Sequence, residues 1–391
     1  MKWTKKGHEF EEMARNLRDK KIYVYGAGDY GSRMSKTFSA LEINFEFIDG
    51  NYEKQKQGFL GKKVISPVDI FKESKNVLIV LAAGEKTALE MKRILEKEGL
   101  VENQDYFSMD AFKQSVLPVY AWYIKNKMYM PSVGFLITTV CNLNCDACLN
   151  FTPYNKNQIH EEVDSLKESL SLYFKNIDIV DFFSYCGGEP LLYPYIDEIL
   201  EHIGERYRDQ IITLAIPTNC TIVPKDSTCE LCAKYDFKFF IDDYSEFVPQ
   251  SKNILQKIEE KFKAYNIQYE INRGDISYWI DLAPLVTDNY GMSEEELIDY
   301  KRRCAVPYRD LYRGKLYACN YSSYGIKAGL DRAEENDYYD FNMHEKKNNA
   351  VLMEFIMGYT EKGYLNFCKH CAGSLPINPY RKPVGKQLPR K

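Results

Sequence analysis

The chain has 391 residues, 45% of them apolar and 28% charged, and a formal net charge of −4. That length suggests two or three domains with real cores, and the acidic balance argues against a protein held to nucleic acid by phosphate contacts. No run of eighteen apolar residues occurs and the N-terminus has no apolar signal region, so no membrane span is expected and a cytoplasmic location is.

The first predicted elements form a unit of their own. "KIYVYGAGDYGSRM" places a β-rich run before Gly26-x-Gly28-x-x-Gly31 and a helical stretch after it. A second apolar run, "FEFID", ends in Asp49, and a third strand is expected at "NVLIVLAAG" with a helix from about Lys86. Strand, glycine turn, helix, strand and acid is the order of a dinucleotide site. Residues 1–115 are therefore read as a half-Rossmann α/β domain, with two readings open: a bound nucleotide, or a docking domain that only keeps the fold. Segments of this kind loosely resemble domains appended to sugar acyl- and methyltransferases. Residues 116–131 are read as a linker helix.

From Val133 the pattern alternates strand and helix. Strands are predicted at Val133–Thr139, Ile179–Tyr185, Ile211–Ile216, Phe237–Ile241 and Ile267–Ile271, with helices such as Ile196–Tyr207 and Ser251–Tyr265 between them. Such alternation implies a parallel sheet whose strand C-termini carry the chemistry. About 31 residues per unit leaves room for five or six units in 132–300, a partial (β/α)5-6 barrel of the TIM type.

Three thiols follow the first of these strands. "CNLNCDACLN" sets Cys141, Cys145 and Cys148 four and three residues apart. A structural zinc ion wants four ligands, usually paired thiols, and no histidine is near. Three thiolates on one short loop suit a cubane iron–sulfur cluster with one iron left open, and a partial zinc site is the rival. "CGGEP" (Cys186–Pro190) ends the second strand, "PTN" (with Thr218 and Asn219) the third, "IDDY" (with Asp242 and Asp243) the fourth, and Arg273 follows the fifth.

The Cys-x3-Cys-x2-Cys loop and the GGEP segment together resemble the radical S-adenosylmethionine (AdoMet) superfamily. The resemblance implies that Cys141, Cys145 and Cys148 hold a [4Fe–4S] cluster whose open iron binds AdoMet, and that a flavodoxin- or ferredoxin-type reductant feeds it. It implies AdoMet contacts from Gly187, Gly188, Glu189 and Pro190. The two glycines would let main-chain carbonyls approach the ligand without a Cβ in the way. Thr218 and Asn219 look like the family's TNG segment, Asp242 and Asp243 like a ribose contact, and Arg273 like a carboxylate contact. Ordinary loop capping is the alternative for each of these. One departure shows: Ala147 stands where the family usually has an aromatic.

From 301 the pattern changes. "YRDLYRGKLYAC" reads as a hairpin turning at Arg313-Gly314, a helix is expected around Asn348–Met357, and "CKHC" closes the segment. Cys304 and Cys319, then Cys368 and Cys371, resemble the twitch domain, a shortened SPASM domain holding one auxiliary [4Fe–4S] cluster. A zinc-ribbon-like site is the alternative for four thiolates. Residues 301–375 are read as that domain and 376–391 as a basic, solvated tail.

Of the other thiols, Cys229 and Cys232 are expected in the core. Cys186 and Cys220 are expected to face the cavity, packing beside the cluster or returning hydrogen to a substrate radical. The implied enzyme abstracts hydrogen from a sugar, nucleotide-sugar or aminocyclitol, oxidising or epimerising a secondary alcohol. The rival reading is modification of a ribosomally made precursor peptide. Peptide maturases often begin with a peptide-clamping winged helix, and this chain begins with a glycine-rich half-Rossmann unit instead.

Overall fold

The computed structural model describes residues 1–73, 76–272, 278–282, 289–304, 306, 308–374 and 377–389. The chain forms two compact units, Gly7–Pro131 and a larger one made of Met1–Lys6 with Ser132–Lys391.

In the smaller unit, β1 (Lys21–Tyr25), β2 (Glu46–Ile48), β3 (Val64–Ile65), β4 (Val77–Leu81) and β5 (Tyr106–Ser108) make a parallel sheet in the order β3-β2-β1-β4-β5. This is the strand order of one wing and the first strands of the other in a doubly wound fold. Every residue of β4 and four of the five in β1 are buried, as a parallel sheet covered on both faces requires. Tyr23, Ile48, Ile79, Leu95 and Tyr106 are part of one core cluster. The glycine turn is real: Gly26 has φ +118°, and a Cβ there would stand 2.3 Å from the Ala82 carbonyl oxygen. The segment after this sheet is helical from Met109 through a π-helical turn, Phe112–Val116, to Lys125, and stops at Asn126, which takes the left-handed conformation at φ 52°.

The larger unit is built on an eight-stranded sheet. In chain order its strands are β6 (Tyr129–Thr138), β7 (Ile179–Gly187), β8 (Ile211–Thr218), β9 (Phe237–Asp242) and β10 (Gln268–Asn272). Next comes β11 (Tyr278–Ile280), outside this sheet, and then β12 (Arg309–Tyr312), β13 (Lys315–Tyr317) and β14 (Tyr338–Asp340). The order is β10-β9-β8-β7-β6-β12-β13-β14. Four helices, Val163–Phe174, Ile196–Arg206, Asp226–Lys234 and Ser251–Ala264, link β6 through β10 in turn. Such βαβ crossovers return each strand parallel to the last, and five strands in sequential order make the expected partial barrel.

The sixth parallel strand is not the next one along. β12 joins the opposite edge, beside β6, with Asp310 opposite Gly134. It continues into an antiparallel hairpin with β13, turning through Arg313 (φ 48°) and Gly314 (φ 70°), the conformation a two-residue hairpin favours. A short strand β15 (Arg381–Pro383) pairs antiparallel with β11. The C-terminal segment is thus folded onto the barrel unit. The basic stretch expected to be solvated is held by backbone pairing, which its Pro- and Lys-rich composition does not advertise.

Candidate active site

Backbone constraints bring the loop after β6 and the loop after β7 together. The Gly188 amide donates to the Thr138 carbonyl (3.0 Å) and the Glu189 amide to the Val140 carbonyl (2.9 Å). A Cβ on Gly187 would stand 2.5 Å from the Thr138 oxygen, and one on Gly188 2.2 Å from the Val140 oxygen. The paired glycines are thus required by close approach of chain to chain. The expected reason, room for carbonyls around a ligand, is not what these contacts show; the Gly187 carbonyl already accepts from Asn150 Nδ2.

Glu189 acts as a brace. It is 1% exposed; Oε1 accepts from the Leu191 amide (3.1 Å) and the Thr218 hydroxyl (3.0 Å), and Oε2 from the Asn219 amide (2.7 Å). Burial pushes its pKa up to about 7, against the pull of these hydrogen bonds. Both oxygens join the ends of β7 and β8, and Pro190 starts the short turn that follows. Asn219 in turn reaches the thiol loop: Nδ2 donates to Asn142 Oδ1 at 3.0 Å and lies 3.7 Å from Cys141 Sγ.

Two of the three loop thiols have donors directed at their sulfurs. The Leu143 amide is 3.5 Å from Cys141 Sγ and Gln387 Nε2 is 3.1 Å from Cys145 Sγ. The Cys148 thiol donates to Thr152 Oγ1 at 3.3 Å. Burial, with Cys148 nearby, pushes both the Cys141 and Cys145 thiols up to about 12. A buried thiolate group of this kind needs a cationic centre to hold its charge. The donor set fits an iron–sulfur cluster.

These elements enclose a cavity of about 1000 Å³. The thiol loop, Gly187–Pro190, Thr218, Asn219 and Asp242 line one part of it, and Tyr308, Asn320, Tyr321 and Tyr324 another. Asp242 accepts from Asn272 Nδ2 (2.8 Å) and the Tyr244 hydroxyl (3.1 Å), and burial raises its pKa. Its neighbour Asp243 instead accepts from the Ser245 amide and caps a turn. Arg273 lies outside the described residues.

Residues 135–248 match the family model of the radical SAM superfamily. The chain carries a radical SAM domain. Such a domain takes a [4Fe–4S] cluster and AdoMet as its cofactors. No curated protein sequence matches the chain. Among solved structures it is similar to three radical SAM proteins. One is anSMEcpe with AdoMet and the Cp18Cys peptide, at 17% identity and TM-score 0.30, covering 36% of this chain and 42% of that one. Streptococcus suis SuiB with S-adenosylmethionine has 17% identity and TM-score 0.30, covering 63% and 49%. BtrN with AdoMet and 2-DOIA has 16% identity and TM-score 0.38, covering 66% and 100%. The chain thus spans less than half the length of the first two.

The remaining thiols divide into two sets. Cys304 ends the helix Glu294–Arg303, Cys319 precedes the helix Asn320–Lys327, and Cys368 and Cys371 lie on a tight turn. Amides of Ser374, Leu365 and Gly373 donate to Cys304, Cys368 and Cys371 at 3.2, 3.5 and 3.3 Å. Burial raises the Cys319, Cys368 and Cys371 thiols, and the other members of the set raise each of them further. Among the described residues no three His, Cys, Asp or Glu side chains converge as ligands of a single ion.

Cys186 lines the cavity and shares a hydrogen bond with the Tyr324 hydroxyl. Cys220, expected beside it, is fully buried elsewhere, its sulfur directed at the Ser251 carbonyl and its backbone left-handed at φ 60°. Cys229 and Cys232 are fully buried.

Sequence reasoning missed Gln387, Asp310 and Lys327. Asp310 Oδ2 accepts from Ser323 Oγ (2.5 Å) and Lys327 Nζ (2.8 Å), and Oδ1 is buried without a partner. An atom added at Gly134, which lines the cavity, would meet Cys186 Sγ at 2.9 Å, the Tyr324 hydroxyl at 3.4 Å and Asp310 Oδ1 at 3.5 Å. The glycine in the middle of β6 is the one available signal, since such a residue marks a close approach. In the smaller unit, Asp49 Oδ2 accepts from the Ala27 amide and Oδ1 from the Asn51 amide, both at 2.8 Å. The carboxylate a ribose would use is committed to its own glycine loop.

Proposed function

We propose that this radical SAM enzyme oxidises a secondary alcohol of a sugar-like small molecule to a carbonyl. The observation that carries the reading is a cavity lined both by the thiol loop and by Asn320, Tyr321 and Tyr324, which directly follow Cys319. Its lining supports a hydroxylated ligand: Asn320 Oδ1 is a buried acceptor with no partner, which a donor on the ligand would satisfy, and a second such acceptor, Asp310 Oδ1, lies behind the lining residue Gly134. The Rossmann-type strand order of the smaller unit supports a small molecule over a precursor peptide.

Cys141, Cys145 and Cys148 would hold the cluster that, with AdoMet, would supply a 5′-deoxyadenosyl radical for hydrogen-atom abstraction, and Cys304, Cys319, Cys368 and Cys371 would hold a second cluster able to accept the electron. The chain's own task is to place the alcohol and take its proton. Asp310 Oδ1 is suited to that: burial raises its pKa, and Lys327 and Ser323 hold the carboxylate in place through Oδ2. Tyr324 and Cys186, which line the cavity, approach Gly134 together with Asp310 Oδ1.

The test is turnover of a panel of sugars, aminocyclitols and nucleotide-sugars in deuterated water. A product two hydrogens lighter, formed with one AdoMet consumed, supports the reading. An isomeric product one mass unit heavier, carrying one deuterium at an inverted carbon, identifies an epimerase and refutes it, as does turnover confined to a peptide.

A further inference from the structure

Residues 381–389 form a strap across the thiol loop. After β15, Val384 packs with the apolar cluster of Leu143, Cys145, Tyr244 and Val248. Gly385 then turns the chain at φ +73°, where a Cβ would meet Tyr244 at 2.9 Å. Beyond the turn the strap zips onto residues 144–146. The Asp146 amide donates to the Lys386 carbonyl (2.7 Å) and the Leu388 amide to the Asn144 carbonyl (2.8 Å). Cys145 and Gln387 form an antiparallel bridge.

The Gln387 side chain faces the cluster ligand. Its Oε1 accepts from the Asn144 amide at 2.8 Å, which fixes the orientation of the carboxamide. Its Nε2 then donates to the Gly385 carbonyl (2.7 Å) and to Cys145 Sγ (3.1 Å). Cys145 is 6% exposed, so this donor is not replaced by water.

We infer that Gln387 is a positioning residue that tunes the AdoMet-binding cluster, its amide donating to the Cys145 thiolate and raising the cluster's reduction potential. Hydrogen bonds to cluster sulfurs and exclusion of solvent are among the protein's means of setting that potential. Reduction adds negative charge to the cluster and its thiolates, so an N–H donor stabilises the reduced form more than the oxidised one. The inference rests on the radical SAM domain and not on the proposed substrate.

The test is EPR-monitored potentiometry of the full chain, loaded anaerobically, following the signal that changes when AdoMet is added. Gln387→Leu removes the donor at similar size, and Gln387→Glu keeps the acceptor for Asn144 but adds a negative charge. The expected order of potential is wild type, then the Leu variant, then the Glu variant lowest, with iron content and melting temperature unchanged. Gln387→Asn, which shortens the reach, should fall between wild type and Leu. Equal potentials in the loaded variants overturn the inference. So does loss of that cluster from all three with an unchanged melting temperature, which would make Gln387 an assembly residue.

Discussion

At Glu189 one buried carboxylate gathers three donors from the ends of two strands, so its removal strands all three. Each buried donor left without a partner costs about 1–3 kcal/mol. Glu189→Ala should therefore lower stability by several-fold more than an exposed Glu→Ala change, and lower AdoMet affinity with it. Denaturant unfolding and equilibrium binding check this; an unchanged midpoint would show that the brace is not one. Asp310 carries the proton transfer in the proposed oxidation. Asp310→Asn should cut substrate turnover by about 100-fold or more while AdoMet cleavage persists. Cys186→Ala should still give an oxidised product two hydrogens lighter, because an oxidation returns no hydrogen. Loss of all product in that variant would favour the epimerase. These roles differ in how far the sequence showed them. The seven thiols proposed as ligands and GGEP announce themselves by spacing, whereas Asp310 and Cys186 become neighbours only because β12 pairs with β6 across Gly134. Nothing local marks that pairing.

Among elements, β6 to β10 were legible because each is an apolar run bounded by turn signals and followed by a helical period. Their predicted bounds differ from the observed ones by a few residues. The hairpin at Arg313-Gly314 was legible from its turn chemistry. β3 and β5, two and three residues long, carry too little pattern to be seen. The strap was misread because its attachment is made by backbone amides and one carboxamide. It makes its own prediction: a chain ending at Pro383 should lose the AdoMet-binding cluster several-fold faster in air than wild type, measured as iron released over time. Equal rates would show that Val384–Leu388 does not shield Cys145.

For the whole molecule, the two units give a sharper expectation than a simple truncation does. Met1–Lys6 belongs with the larger unit: the Trp3 indole donates to Glu354 at 2.7 Å and the Met1 amino group to the Gly358 carbonyl at 2.7 Å. Cutting the chain before residue 117 would remove those contacts along with the smaller unit. Excising residues 7–125 across a flexible Gly/Ser linker should instead leave iron loading and AdoMet cleavage intact, while turnover of the true substrate falls.

The most direct test of the account is the iron content of the Cys141→Ala/Cys145→Ala/Cys148→Ala variant beside wild type, after anaerobic reconstitution. Two cubanes on seven thiolates predict about eight iron per chain in wild type, and about four in the variant with no AdoMet cleavage. A variant that keeps full iron and still cleaves AdoMet would contradict the assignment of the loop, and zinc in place of the residual iron would contradict the second cluster.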